Sequence, residues 1–158
     1  MNRINFLFDC LRAPYDMVHV VQVAEAVEGI DLSLSGNSLD PQNRKVVFKL
    51  SSWGIRDLPH FDSYDSLDQA VSTLRGQGRY LVGTSPHATR NFYELDLISR
   101  DYAIVFGTET SGLTYRKMSL MDENVALPMS RRCSFLTLPV VVSAIAYEYY
   151  RQRMDVEE

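Results

Sequence analysis

The sequence predicts an α/β protein in which helices flank a parallel sheet, with one domain spanning residues 1–158. Three observations lead there. Short β-branched and aromatic runs (INFLF, YLVGT, AIVFG) alternate with segments whose apolar residues recur at three and four. Polar, glycine-bearing stretches follow the later runs, and in parallel sheets such loops carry the ligand sites. A chain of 158 residues can bury about 70% of its unfolded surface, and 46% hydrophobic with 23% charged residues is the composition of a globular protein.

Residues 4–8 (INFLF) form a first strand that stops at Asp9. Over 15–28, Met17, Val20, Val21, Ala24 and Val27 line one helical face before Gly29. IDLSL (30–34) alternates as a second strand, GNSLDPQN (36–43) is turn chemistry, and KVVFKL (45–50) is expected to be a third strand. Residues 51–64 are irregular, with Trp53, Gly54, Pro59 and His60. A helix over 66–75 presents Leu67, Ala70, Val71 and Leu74 on one side. YLVGT (80–84), AIVFG (103–107) and NVALP (124–128) supply further strands, with helices over 115–121 and about 138–153. No repeat, low-complexity tract or linker interrupts this order.

A formal charge of −4 argues against an indiscriminate polyanion binder, though a local basic patch remains compatible with it. Cys10 and Cys133 are too few and too far apart for a disulfide framework or zinc site, and His19, His60 and His87 have no metal-ligand spacing. No metal is expected. The apolar run at the N-terminus breaks at Asp9 and the run 138–146 is too short to span a bilayer, so the expectation is a soluble, cytoplasmic protein with reduced thiols and no membrane contact.

The most informative stretches are DYAIVFGTETSGL (101–113) and ALPMSRRCSFLTLPVVVSAIAYE (126–148). The first is a buried strand, a tight glycine loop and a return to the core at Leu113; bare, that pattern is common punctuation. Together the two resemble the C-terminal motifs of the SpoU/TrmH group of SPOUT RNA methyltransferases. There a strand ending FGxExxGL is followed by a second strand, a Pro-Met pair and a helix ending in Tyr-Glu. Here these are Phe106, Gly107, Glu109, Gly112 and Leu113, then Leu127, Pro128 and Met129, then Tyr147 and Glu148. The resemblance is specific over 79–150 and weak before that.

It implies a C-terminal deep trefoil knot, a homodimer packed through the last helix, S-adenosylmethionine as cofactor, and tRNA or rRNA as substrate. Neither periodicity nor composition implies a knot. Loops 83–90, 107–112 and 128–137 would converge on the cofactor. By resemblance, Gly83, Thr84, Gly107, Glu109, Gly112, Leu127, Met129, Phe135 and Leu136 would bind it; core packing is the competing reading for the aliphatic members. A donor with an adenine ring and a sulfonium needs apolar walls and close main chain more than charged side chains.

The first motif departs from the group. Members that methylate a ribose 2′-hydroxyl carry Asn-x-Gly-x-x-x-Arg after the first strand, whereas APYDMVHVVQV (13–23) has neither the Asn-Gly pair nor the arginine. A Ser-x-Asn-x-Ser pattern in the last loop is replaced by Phe135, Thr137 and Pro139. A ribose hydroxyl is a weak nucleophile, so its proton must be accepted or its charge stabilised. Arg12, Arg90, Arg131 and Thr137 are the candidate substitutes, with Arg131 and Arg132 as phosphate contacts. Three readings therefore stand side by side: a ribose 2′-O-methyltransferase, a fold-preserving subunit that binds RNA or cofactor without transfer, and a methyltransferase with another acceptor. Tyr147, Tyr149 and Tyr150 read as core or as a subunit contact, and the dimer that the resemblance implies favours the contact.

Overall fold

The computed structural model describes residues 3–108 and 112–157. Seven strands form one sheet: β1 (Ile4–Asp9), β2 (Ile30–Ser35), β3 (Phe61–Tyr64), β4 (Tyr80–Thr84), β5 (Arg90–Asn91), β6 (Tyr102–Phe106) and β7 (Glu123–Ala126). Their order across the sheet is β3-β2-β1-β6-β4-β7-β5, and every pairing is parallel. Among the described residues five α-helices accompany them, α1 (Pro14–Ala26), α2 (Arg44–Ser52), α3 (Leu67–Gly76), α4 (Tyr115–Met118) and α5 (Leu138–Glu157), with a 3-10 turn at Phe92–Glu94.

Both faces of the sheet are buried, as a parallel sheet requires. Alternate residues of β1 and β6 divide between them. Phe6, Phe8, Ile104 and Phe106 pack under α1, α2 and α5, whereas Leu7, Ala103 and Val105 meet Leu67, Ala70, Val71 and Leu74 of α3. Phe106 stacks on Phe8 at 4.9 Å between ring centroids and meets Phe6 edge-on at 5.2 Å. α3 starts because the Ser66 hydroxyl accepts from Gln69 N (3.1 Å) while the Gln69 side chain accepts from Asp65 N (2.9 Å), which satisfies two otherwise orphaned amides.

The expected strand 45–50 is a helix. Asn43 caps it by accepting from Lys45 N at 3.0 Å, and Val46 and Leu50, one turn apart, are the residues it buries. A strand would have buried Phe48 beside them; instead Phe48 is 76% exposed. Two further corrections concern strands. The irregular span 51–64 ends in β3, and the polar loop after β4 runs into the short β5. The helix expected over 115–121 is regular only as far as Met118, and the last helix extends to Glu157. Tyr149 is fully buried core rather than surface, while Tyr147 is 52% exposed.

The Tyr147-Glu148 pair also has a structural role for its second member. Gln152 donates to Glu148 Oε1 (2.9 Å), accepts from Leu97 N (2.7 Å) and donates to Leu95 O (3.0 Å), which ties the 95–97 loop to α5. Hydrogen bonds from Arg151 at 2.8 and 2.9 Å hold the Glu148 carboxyl below its ordinary value of 4.5. The unfolded chain thus takes up this proton at a higher pH than the folded one, so the contribution is complete above about pH 4.5 and lost as pH falls through the lower folded value. Glu148→Gln is expected to flatten stability against pH below about 4.5, as read from urea melts between pH 3 and 7. An unchanged acid limb would remove Glu148 as its source.

Candidate functional site

In a parallel sheet all the carboxyl ends lie on one side, so the segments that follow β4, β6 and β7 are neighbours. They are also laced together. Thr84 Oγ1 donates to Val105 O (3.0 Å), Ser85 N to Val125 O (3.1 Å), Ser85 Oγ to Leu113 O (3.2 Å), and Leu113 N to Thr84 O (3.4 Å). Gly112 N donates to Thr108 O at 3.2 Å and closes the loop that leaves β6. Gly112 sits at φ +64°, with Pro86, Ser85 and Thr84 against it.

Between these segments and α5 lies an apolar cleft that opens to solvent. Of the residues expected at a cofactor, Thr84, Gly107, Gly112, Leu127, Met129, Phe135 and Leu136 line it. Phe106, Val125, Leu138 and Ile145 complete an apolar wall, and Ser85 and Thr108 supply polar atoms at its edge. Phe106 opens the FGxExxGL pattern, whereas Val125, Leu138 and Ile145 read in sequence as plain core, and nothing short of the fold distinguishes them. Glu109 lies outside the described residues. Gly83 does not face the cleft: a Cβ there would meet Asn124 Oδ1 at 2.3 Å and Leu113 and Met121 at 2.8 Å, so its place is in packing behind the wall.

The cleft suits a flat heteroaromatic ring with a polar tail. Its walls are apolar, and the main-chain N–H groups of Met129 and Leu136 donate to no other described residue, which leaves donors on the loop that would flank a ring. Phe135, 43% exposed, stands at the mouth rather than inside.

The candidate catalytic side chains are placed differently. Arg90 is in ion pairs with Glu123 and with Glu94 (3.5 Å). Arg12 follows β1 at the ligand end of the sheet and donates to Asn37 O at 3.5 Å. Arg131, Arg132 and Thr137 are exposed on the loop before α5. None of these five lines the cleft. His87 is exposed in the loop after β4 and stacks on Tyr115 at 5.2 Å. Among the described residues no group of three or more metal-binding side chains occurs, and no helix is long and apolar enough to cross a membrane.

A parallel α/β sheet whose carboxyl end carries an apolar cleft, walled by three interlocked loops of which the one after β6 brings two glycines to its lining, defines a class: an α/β protein built to hold a small ring-bearing ligand. The chain belongs to the SpoU rRNA Methylase family, whose model matches residues 4–147. It is 29% identical over 153 residues to an uncharacterized tRNA/rRNA methyltransferase of Synechocystis sp., covering 96% of this chain and 54% of the relative. A 23S rRNA (uridine(2479)-2′-O)-methyltransferase of Streptomyces viridochromogenes is 28% identical over 156 residues, with the same coverage of both chains. The chain thus spans about half the length of these relatives. In structure it is similar to the SpoU methyltransferase AviRb from Streptomyces viridochromogenes in complex with AdoMet, with a TM-score of 0.83, 25% identity, and 98% of this chain and 62% of that one covered.

Proposed function

We propose that this protein is an S-adenosylmethionine-dependent RNA methyltransferase acting on a ribose 2′-oxygen of tRNA or rRNA. The observation that carries this reading is the cleft, walled by residues from all three expected loops in a chain of this family. The bound AviRb cofactor and the 2′-O specificity of the Streptomyces relative support it. Leu127, Leu136 and Met129 would sandwich and hydrogen-bond the adenine, with Thr84, Gly107 and Gly112 close to the remainder. When bound, the cofactor supplies an electrophilic methyl group on a sulfonium. The chain's own task is to orient it and keep water away, which the apolar wall does.

Calorimetric titration with S-adenosylhomocysteine should give micromolar binding at one site per chain. Tritiated methyl transfer to bulk tRNA and rRNA, followed by alkaline hydrolysis, should leave the label in hydrolysis-resistant dinucleotides, because a methylated 2′-oxygen cannot attack its phosphate. Binding of S-adenosylhomocysteine with no transfer to any RNA would instead favour a cofactor-holding subunit. That second reading has an observation behind it: no candidate arginine lines the cleft.

The last segment of the chain is proposed to be knotted. β7 lies between β4 and β5, which are consecutive in sequence, so residues 85–89 cross over its end, and Ser85 bonds both Val125 and Leu113. A homodimer through α5 is proposed as well. Val140, Tyr147 and Met154, each 42–52% exposed, recur every seven residues and so form one stripe along the helix. Light scattering should give twice the chain mass, and Val140→Arg with Tyr147→Arg should halve it; a monomeric parent protein would end this reading.

A further inference from the structure

The surface shared by α1 and α2 combines exposed rings with cations. Residues 44–56, RKVVFKLSSWGIR, hold four cations and no carboxylate in a chain of formal charge −4. Phe48 faces solvent at 76% exposure, and Trp53, at the end of α2, is 38% exposed. From α1, Tyr15 is 64% exposed and stands edge-on to His19 at 4.5 Å, and His19 lies 5.7 Å from Trp53. Lys49 Nζ sits 5.3 Å from the Trp53 ring. Tyr15, half-buried His19 and Trp53 thus form a row of rings with Lys49 beside it, and Arg44, Lys45 and Arg56 are exposed on the same segment of chain.

This combination selects its occupant. Exposed rings clustered in one place mark an interaction surface. Ring faces interleaved with cations suit unpaired nucleobases, which stack on the rings while the cations hold phosphates. A base-paired helix would offer phosphates but no free base faces. A second copy of this chain would set like charges opposite each other. The row also begins at the right end of the molecule: α1 starts where β1 ends, and β1 neighbours β6, whose end borders the cleft.

We propose that the α1–α2 face is a second RNA contact. Unpaired nucleotides flanking the methylated one stack on Tyr15, His19 and Trp53, with Arg44, Lys45, Lys49 and Arg56 on their phosphates. The proposal rests on the RNA-methylation reading for why cleft and face should serve one substrate.

Trp53 is the chain's single tryptophan, so its emission reports this site directly. Titrating the full chain with a 12-residue oligoadenylate at low salt should quench it saturably. With the same oligonucleotide labelled for anisotropy, Trp53→Ala and Tyr15→Ala should each weaken binding roughly tenfold at unchanged melting temperature. Lys45→Gln with Lys49→Gln should reduce the slope of log affinity against log salt by about 1.4, two contacts at about 0.7 each on a single strand. Ring variants that bind RNA like the parent, or heparin competing equally well against parent and ring variants, would mean polyanion attraction only and overturn the proposal. So would a chain that self-associates until Phe48→Glu is introduced, because the face would then be a protein interface. S-adenosylhomocysteine titration in parallel separates the two failures. Retained cofactor binding with ring-independent RNA binding sinks this proposal alone, whereas loss of both cofactor and RNA binding sinks the methylation reading.

Discussion

Gly107→Ala is expected to weaken S-adenosylhomocysteine binding at least about a hundredfold and to lower stability by about 1–3 kcal/mol, the usual cost of overpacking. A Cβ at Gly107 would lie 2.2 Å from Gly112 C, 2.3 Å from Gly112 O and 2.4 Å from Leu113 N. All three are main-chain atoms, so no rotamer change relieves the clash. Gly112 is itself hemmed in, with Pro86, Ser85 and Thr84 within 3.0–3.2 Å of where its own Cβ would stand. The strain must therefore open the crossing of the 107 and 112 segments, and that crossing is part of the cleft lining. For a chain of this size, the stability loss corresponds to a melting temperature lower by about 2–12 °C. Gly76→Ala is the control: a Cβ there meets nothing within 4 Å, at the end of a helix where alanine is the better residue, so it should be neutral or slightly stabilising. Parental cofactor affinity in Gly107→Ala would show that the crossing does not shape the site.

What the sequence disclosed follows from which signals are local. The strands INFLF, YLVGT and AIVFG and the helices around Val20 and Val71 were legible, because burial on one or both faces leaves a periodicity in the residues themselves. KVVFKL misleads because Val46, Val47 and Phe48 are β-formers whose helical state is imposed by the Asn43 cap and by packing of Val46 and Leu50. β3 and β5 are short edge strands whose only signal is their partner across the sheet. The motif residues marked the cleft, but Val125, Leu138 and Ile145 became its wall only when the loops closed over them. Gly83 shows the reverse case: its position in the pattern suggested the ligand, and the fold sets Asn124, Leu113 and Met121 where its side chain would be.

The segment where this chain departs from its group is held by a charge pair, and that pair sets the second large effect. Asp9 ends β1 at 2% exposure, accepts from Ser35 Oγ at 2.9 Å, and is paired with Lys117 of α4 at 2.5 Å. Lys117→Met would strand a buried carboxylate. Breaking a fully buried pair in this way costs about 3–5 kcal/mol; Lys117 keeps 27% of its side chain exposed, so water can partly replace it and about 2–3 kcal/mol is expected. Asp9→Asn combined with Lys117→Met should recover most of this loss, because the neutral amide still meets Ser35 without a charge to solvate. Urea melts of the two single variants and the double variant give the coupling directly. Additive losses would mean that Lys117 stabilises α4 by packing alone. Strong coupling would mean that the loop after β1, where the group's arginine motif is missing, is anchored to the element that follows the glycine loop. Arg12, three residues beyond Asp9, would then owe its place at the ligand end of the sheet to that anchor. In that case Lys117→Met should disturb RNA methylation more than cofactor binding.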